Sequence, residues 1–211
     1  MNKHKFGVAH FETKVFSDNS TTLDGILGTG KSSLSEQGGL TPVECLVKEG
    51  LISEAITSYK ISRFSDGLND GQVTFGGLDK SKFDTSTLVT FKNINDRGYW
   101  EGPFNISVGG KDIGLQNRTA VFDTGTAMII APDDDVRTLH AAIPGARTNR
   151  LGDYTIPCNN TAVVSLTFGG RAFDINPIDL LFLPVDTNNL KGMCYSTISS
   201  ALVFGGPNQW L

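Results

Sequence analysis

A chain of 211 residues holds one large β domain or two small ones. With 39% apolar residues it can build a core, while a formal charge of −4 and no basic patch interleaved with aromatics argue against nucleic acid as a partner. No apolar run approaches the roughly 18 residues that a membrane-spanning helix needs, so no membrane partner is expected.

Taken in chain order, the first residues Met1-Asn2-Lys3-His4-Lys5 and Phe6-Gly7-Val8-Ala9-His10 lack the apolar core and cleavage pattern of a signal peptide. Short apolar or alternating runs then recur at 6–9, 56–61, 72–75, 88–91, 99–108, 120–122, 163–168, 180–184 and 201–204, separated by Gly, Asp and Asn. Together with 24 glycines and 13 phenylalanines, they predict an antiparallel all-β protein. Helices are expected at two places. Thr41-Pro42 opens one with an N-cap and an N1 proline, and Gly50 closes it. Pro132 opens the other, which runs to Ile143 with Asp133, Asp134 and Asp135 in the first turn, where the helix dipole favours them; a cation site is the alternative. The polar stretch 93–97 is the best boundary between two parts, 1–95 and 96–211.

Gly25-Ile26-Leu27-Gly28-Thr29-Gly30-Lys31-Ser32 matches the phosphate-cradling loop G-x-x-x-x-G-K-S letter for letter. That loop works only between a buried strand and a helix N-terminus. Polar Ser17–Thr22 precedes it, and the Gly38-Gly39 pair would break the following helix within two turns, so nucleotide binding is not expected. The cysteines (Cys45, Cys158, Cys194) and histidines (His4, His10, His140) show no zinc-ligand spacing. Cys158 and Cys194 can close a loop of about 37 residues, worth roughly 4 kcal/mol, or remain free thiols. Four N-x-[ST] sequons begin at Asn19, Asn105, Asn117 and Asn159, a mild push towards a secreted protein.

The most informative stretch is Asp123-Thr124-Gly125-Thr126, preceded by Ala120-Val121-Phe122. It sets a carboxylate on a Gly-permitted turn at the end of a buried strand, between two hydroxyls able to hydrogen-bond it. Such an acid is costly unless hydrogen-bonded, which makes it a functional candidate; an Asp-Gly hairpin turn is the plain alternative.

An ordered series surrounds that turn: Phe6-Gly7-Val8-Ala9, Leu23-Asp24-Gly25-Ile26-Leu27-Gly28, Lys48-Glu49-Gly50-Leu51-Ile52, Gly71–Asp79, and Gly98-Tyr99-Trp100. In this order the chain resembles the pepsin-like aspartic endopeptidases, with a flavour closest to fungal secreted pepsins. The resemblance implies a pepsin-like all-β fold: 1–95 as the latter part of the N-terminal lobe and 96–211 as the C-terminal lobe. It implies Asp123 as one of two catalytic acids and Thr124 as a brace for the loop. Gly125 and Thr126 would offer hydrogen bonds to an extended peptide, and Tyr99 and Val121 would line pockets, with core packing the alternative for both. It implies a Cys158–Cys194 disulfide with Cys45 free, polypeptide substrates, a secreted or vacuolar location and a monomer in the full-length form. No metal or organic cofactor is implied.

The family's chemistry uses two carboxylates, and this sequence has one Asp-Thr-Gly. Leu202-Val203-Phe204-Gly205 resembles a second hydrophobic-hydrophobic-Gly segment, but Gly206 stands where the family has Asp, and the lobe's last strands are expected to be lacking. The expectation is a fragment of an aspartic endopeptidase, inactive by itself. The alternative is a non-catalytic peptide-binding or regulatory homologue.

Overall fold

The structure, a computed structural model, describes residues 4–17, 24–149, 152–201 and 206–211. Strands dominate it, in keeping with the expected all-β class. Two compact units divide the chain.

The first unit gathers Met1–Ile61, Gly71–Thr85 and Asp96–Tyr99. Its helices are α1 (Lys14–Ser17) and α2 (Pro42–Lys48), and its strands β1 (Thr57–Lys60) and β2 (Gln72–Phe75) form an antiparallel pair from Thr57↔Phe75 to Lys60↔Gln72. α2 owes its ends to local chemistry. The Thr41 hydroxyl accepts from the Glu44 N–H, and the Glu44 carboxylate accepts from the Thr41 N–H at 2.7 Å, a reciprocal box that satisfies two orphan donors. The Thr41 N–H, against the opposing effect of burial and aided by the Thr41 and Ser32 hydroxyls, holds the Glu44 carboxyl below its ordinary pKa. At the other end Gly50 takes φ 69°, so that its own N–H reaches Val47 O and that of Leu51 reaches Leu46 O.

Two expectations fail in the extended segments. Residues 6–9 form no strand, and Phe6 and Val8 are exposed, since apolar alternation specifies a strand only when a partner edge accepts it. The run 88–91 is also unpaired, yet its side chains are used: Val89 and Phe91 press on Gly169 and Gly102, where any Cβ would sit 2.3 and 2.2 Å from them. The run 201–204 lies, except for Ala201, outside the described residues.

The second unit gathers Ser62–Asp70, Ser86–Asn95 and Trp100–Leu211. In chain order its strands are β3 (Glu101–Val108), β4 (Lys111–Asp112), β5 (Arg118–Val121), β6 (Ile129–Ala131), β7 (Arg147–Thr148), β8 (Tyr154–Pro157), β9 (Val164–Phe168), β10 (Arg171–Ile175), β11 (Leu181–Pro184), β12 (Met193–Ser196), β13 (Ile198–Ser200) and β14 (Gln209–Trp210). The main sheet runs β10-β9-β3-β5-β14, with β4 also on β3; a second runs β11-β12-β8-β7; β13 and β6 pair in parallel. β3 shows why: Gly102, Phe104, Ile106 and Val108 are buried at every second position. Helix α3 (Asp133–Ala141) lies within the span expected for it and packs on β13, burying Val136 and Leu139 completely. Its first-turn acids divide the work. Asp133 and Asp134 pair with Arg137 at the surface. Asp135 is 1% exposed, and its oxygens accept from Arg118 at 2.6 and 2.7 Å and from the Trp210 indole N–H at 2.8 Å, so its charge is already paired inside the fold.

A disulfide joins Cys158 to Cys194, as the resemblance implies, and Cys45 is a free thiol. The bond lies beside the β8–β12 ladder, where Cys194 opposes Ile156.

Candidate active site

β5 delivers Asp123. It is held antiparallel to β3 (Glu101↔Val121, Gly102↔Ala120) and parallel to β14 (Trp210↔Ala120), so its direction is set on both edges. At its end the Phe122 N–H donates to Trp100 O at 2.8 Å, the last ladder bond before the chain turns outward. The Phe122 ring packs 5.1 Å from Phe168 and 5.8 Å from Phe91, an aromatic platform under the turn.

On that platform both Asp123 oxygens are engaged. Oδ1 accepts the Gly125 N–H at 2.8 Å, and Oδ2 accepts the Thr126 hydroxyl at 2.6 Å. The side chain itself is exposed, beyond the end of the strand that carries it. Burial stops one step earlier, at Val121, which is 9% exposed. Gly125 serves the turn in a different way from that expected. Its φ is not positive; instead a Cβ there would lie 3.2 Å from Asp123 Oδ1, so glycine allows the carboxylate to lie over the backbone. Of the two hydroxyls, only that of Thr126 reaches the carboxylate; Thr124 is exposed and makes no hydrogen bond to the acid.

The geometry therefore brings together Asp123, Gly125 and Thr126, with Thr124 between them in the chain and Val121 at the end of β5, two residues before the acid. Tyr99 belongs to the first unit, half-buried, with the Arg97 guanidinium 5.8 Å from its ring centre. A carboxylate held by two donors, with lone pairs still open to water, can accept a proton from a bound water or, once protonated, donate one.

Several supporting groups escaped the sequence reading. Glu101, directly opposite Val121, accepts from Thr119 and from the Asn95 amide, each at 2.6 Å, and so ties the start of β3 to β5. Phe91 and Phe168 lie 77 positions apart by number, and no local pattern relates them to Phe122. The phosphate-loop look-alike behaves as its flanks imply. Ser32–Leu34 is a single 3-10 turn rather than a helix, and Lys31 N–H donates to Gly98 O. Gly30 and Gly98 serve close packing against Leu34 and Ser33, where a Cβ would come within 2.9 and 2.4 Å.

Residues 1–207 match the family model described as eukaryotic aspartyl protease. The chain is 36% identical over 194 residues to the probable aspartic-type endopeptidase CTSD of Arthroderma otae, covering 91% of this chain and 49% of the relative. It is 36% identical over 208 residues to the aspartic-type endopeptidase ctsD of Aspergillus fumigatus, covering 98% and 42%. Rhizopuspepsin of Rhizopus chinensis is 31% identical over 183 residues, covering 85% and 46%. The chain thus spans about half the length, or less, of the curated relatives it matches.

Proposed function

The chain belongs to the eukaryotic aspartyl protease family, and on that premise we propose that Asp123 is one of the two carboxylates of an aspartic-type endopeptidase. The observation that carries this reading is the Asp123 turn, with an exposed carboxylate whose two oxygens accept from Gly125 and Thr126 on a strand held at both edges. Peptide hydrolysis of this class uses a water between two acids. The ionised one takes a proton from the water as its oxygen attacks the scissile carbonyl carbon, and the protonated one donates to the carbonyl oxygen. The resulting diol collapses as the amide nitrogen gains a proton and the C–N bond breaks. Asp123 fills one role; a second acid fills the other.

On this reading Gly125 and Thr126 meet an extended polypeptide, Val121 lines a pocket in the second unit and Tyr99 one in the first, and Thr124, which makes no bond to Asp123, braces the loop against the partner lobe of the full-length protein. The Cys158–Cys194 bond and a relative named probable vacuolar protease A, from Arthroderma benhamiae, support a vacuolar or secreted setting.

One experiment tests the reading: cleavage of an unfolded protein at acid pH by the 211-residue chain, by that chain joined to the front half of the Aspergillus fumigatus relative, and by the joined chain with Asp123→Asn. The expected result is cleavage by the joined protein alone, reduced about 10²–10⁴-fold or more by Asp123→Asn. Cleavage surviving Asp123→Asn would remove Asp123 from catalysis. Peptide binding by the 211-residue chain without cleavage in any arm would favour a non-catalytic peptide-binding protein.

A further inference from the structure

We propose that Asn159 is an acceptor site for an asparagine-linked oligosaccharide. The sequon Asn159-Asn160-Thr161 lies in the connection from β8 to β9, directly after disulfide-bonded Cys158. Asn159 and Thr161 are both exposed, and neither side chain is used by the fold. Asn160 between them does the structural work: its N–H closes a turn on Pro157 O at 2.8 Å, and its side-chain oxygen accepts the Ala162 N–H at 3.1 Å. The loop thus holds its shape through the middle residue and leaves the acceptor and its hydroxyl partner in solvent, so a bulky polar chain on Asn159 displaces nothing.

The neighbouring disulfide supplies a second, independent argument. A Cys158–Cys194 bond persists in an oxidising compartment, and the secretory lumen that forms such bonds is also where oligosaccharide is transferred to sequons. Timing agrees. Transfer acts on extended chain, and Cys158 cannot be tied until Cys194 has followed it by 36 residues, about 2–7 s at ordinary synthesis rates. The other described sequons differ. Asn105 lies inside β3, whose hairpin with β4 closes at Ser107↔Asp112, only a few residues on. Asn117 lies in the connection between β4 and β5, and in Asn117-Arg118-Thr119 both following side chains are committed, Arg118 to Asp135 and Thr119 to Glu101.

In the transfer step the Asn159 amide nitrogen attacks the anomeric carbon of a lipid-pyrophosphate-linked oligosaccharide. The N–C bond forms, the bond from that carbon to the pyrophosphate oxygen breaks, the lipid pyrophosphate leaves, and one amide proton goes to a base of the transferase.

The test is translation of the chain, behind a host secretion leader, into eukaryotic microsomes. Protease-protected material is then released with peptide N-glycosidase in heavy-oxygen water, and the tryptic peptide 151–171 is read by mass. The expected result is labelled Asp at position 159, lost in Thr161→Ala and retained in Asn117→Gln. Protected chain whose 151–171 peptide carries unmodified Asn159, or a glycan complement unchanged by Thr161→Ala, would overturn the proposal. Neither readout depends on proteolytic activity or on Asp123.

Discussion

The two units differ most in what they bury. Among the described residues, the buried hydrophobic core from Phe104 to Trp210 belongs to the second unit, and in the first unit Pro42 alone has a buried side chain. The first unit exposes Ile26, Leu27, Leu51 and Val73, and its Tyr59 hydroxyl is buried without a partner. Its elements are held instead by the two-stranded β1–β2 ladder, a few longer-range bonds such as Lys31 N–H to Gly98 O, and local devices, the Thr41 box and the Gly50 turn. Local devices shape an element, but only shared burial makes elements stand or fall together. The second unit should therefore open as a cooperative body and the first piecemeal.

The largest expected effect tests that cooperativity at its polar centre. Asp135→Ala strands the Arg118 guanidinium and frees the Trp210 indole, and should cost about 3–5 kcal/mol in denaturant unfolding. A cost below about 1 kcal/mol would show that β14 and α3 are not coupled through this side chain.

A matched pair comes next. Leu139→Ala, at a fully buried position of α3, should cost about 2–5 kcal/mol, while Leu51→Ala, 61% exposed in the first unit, should stay within about 0.5 kcal/mol. Equal costs would erase the contrast. Reducing the Cys158–Cys194 bond should cost roughly 2–4 kcal/mol and leave the exchange of α2 amides unchanged.

Thr41→Ala removes one half of the box and should cost about 1 kcal/mol, read as faster hydrogen exchange confined to α2. A slowly varying pH effect comes last. Burial lowers the pKa of His140, partly opposed by the Val136 carbonyl. Nδ1 donates to that carbonyl at 2.8 Å, so Nε2 accepts from the Ser196 hydroxyl at 2.9 Å, and the ring stacks on Tyr154. The unfolded chain, with its histidine near pH 6.5, then binds the proton more readily than the folded one. Stability from this group is present above about pH 6.5 and declines as the pH falls towards the folded value. His140→Gln should flatten that slope in thermal unfolding followed across pH.

The span of α2 was legible because its start and stop are written in adjacent residues, Thr41, Pro42, Glu44 and Gly50. Alternation in 99–108 and 163–168 likewise foretold β3 and β9. The runs 6–9 and 88–91 carry similar apolar character yet form no strand, because pairing depends on a partner edge that no local pattern supplies. Short strands such as β6, β7 and β14 had no signal, being too brief for period two to stand out.

At the candidate site, sequence alone marked the acid, the glycine and two candidate hydroxyls in Asp123-Thr124-Gly125-Thr126, since all lie within one turn. It also determined that Gly25–Ser32 lacks the flanks of a phosphate loop. Only the tertiary structure decided that Thr126 rather than Thr124 binds the carboxylate, that the acid stays in solvent, and that Asp135 belongs to a buried triad. It also decided that Phe91, Phe122 and Phe168 share one platform. The physical reason is distance along the chain. Asp135 meets Arg118 and Trp210 across 17 and 75 residues, and separations of that size are closed by the burial of a whole core, which no window of sequence contains.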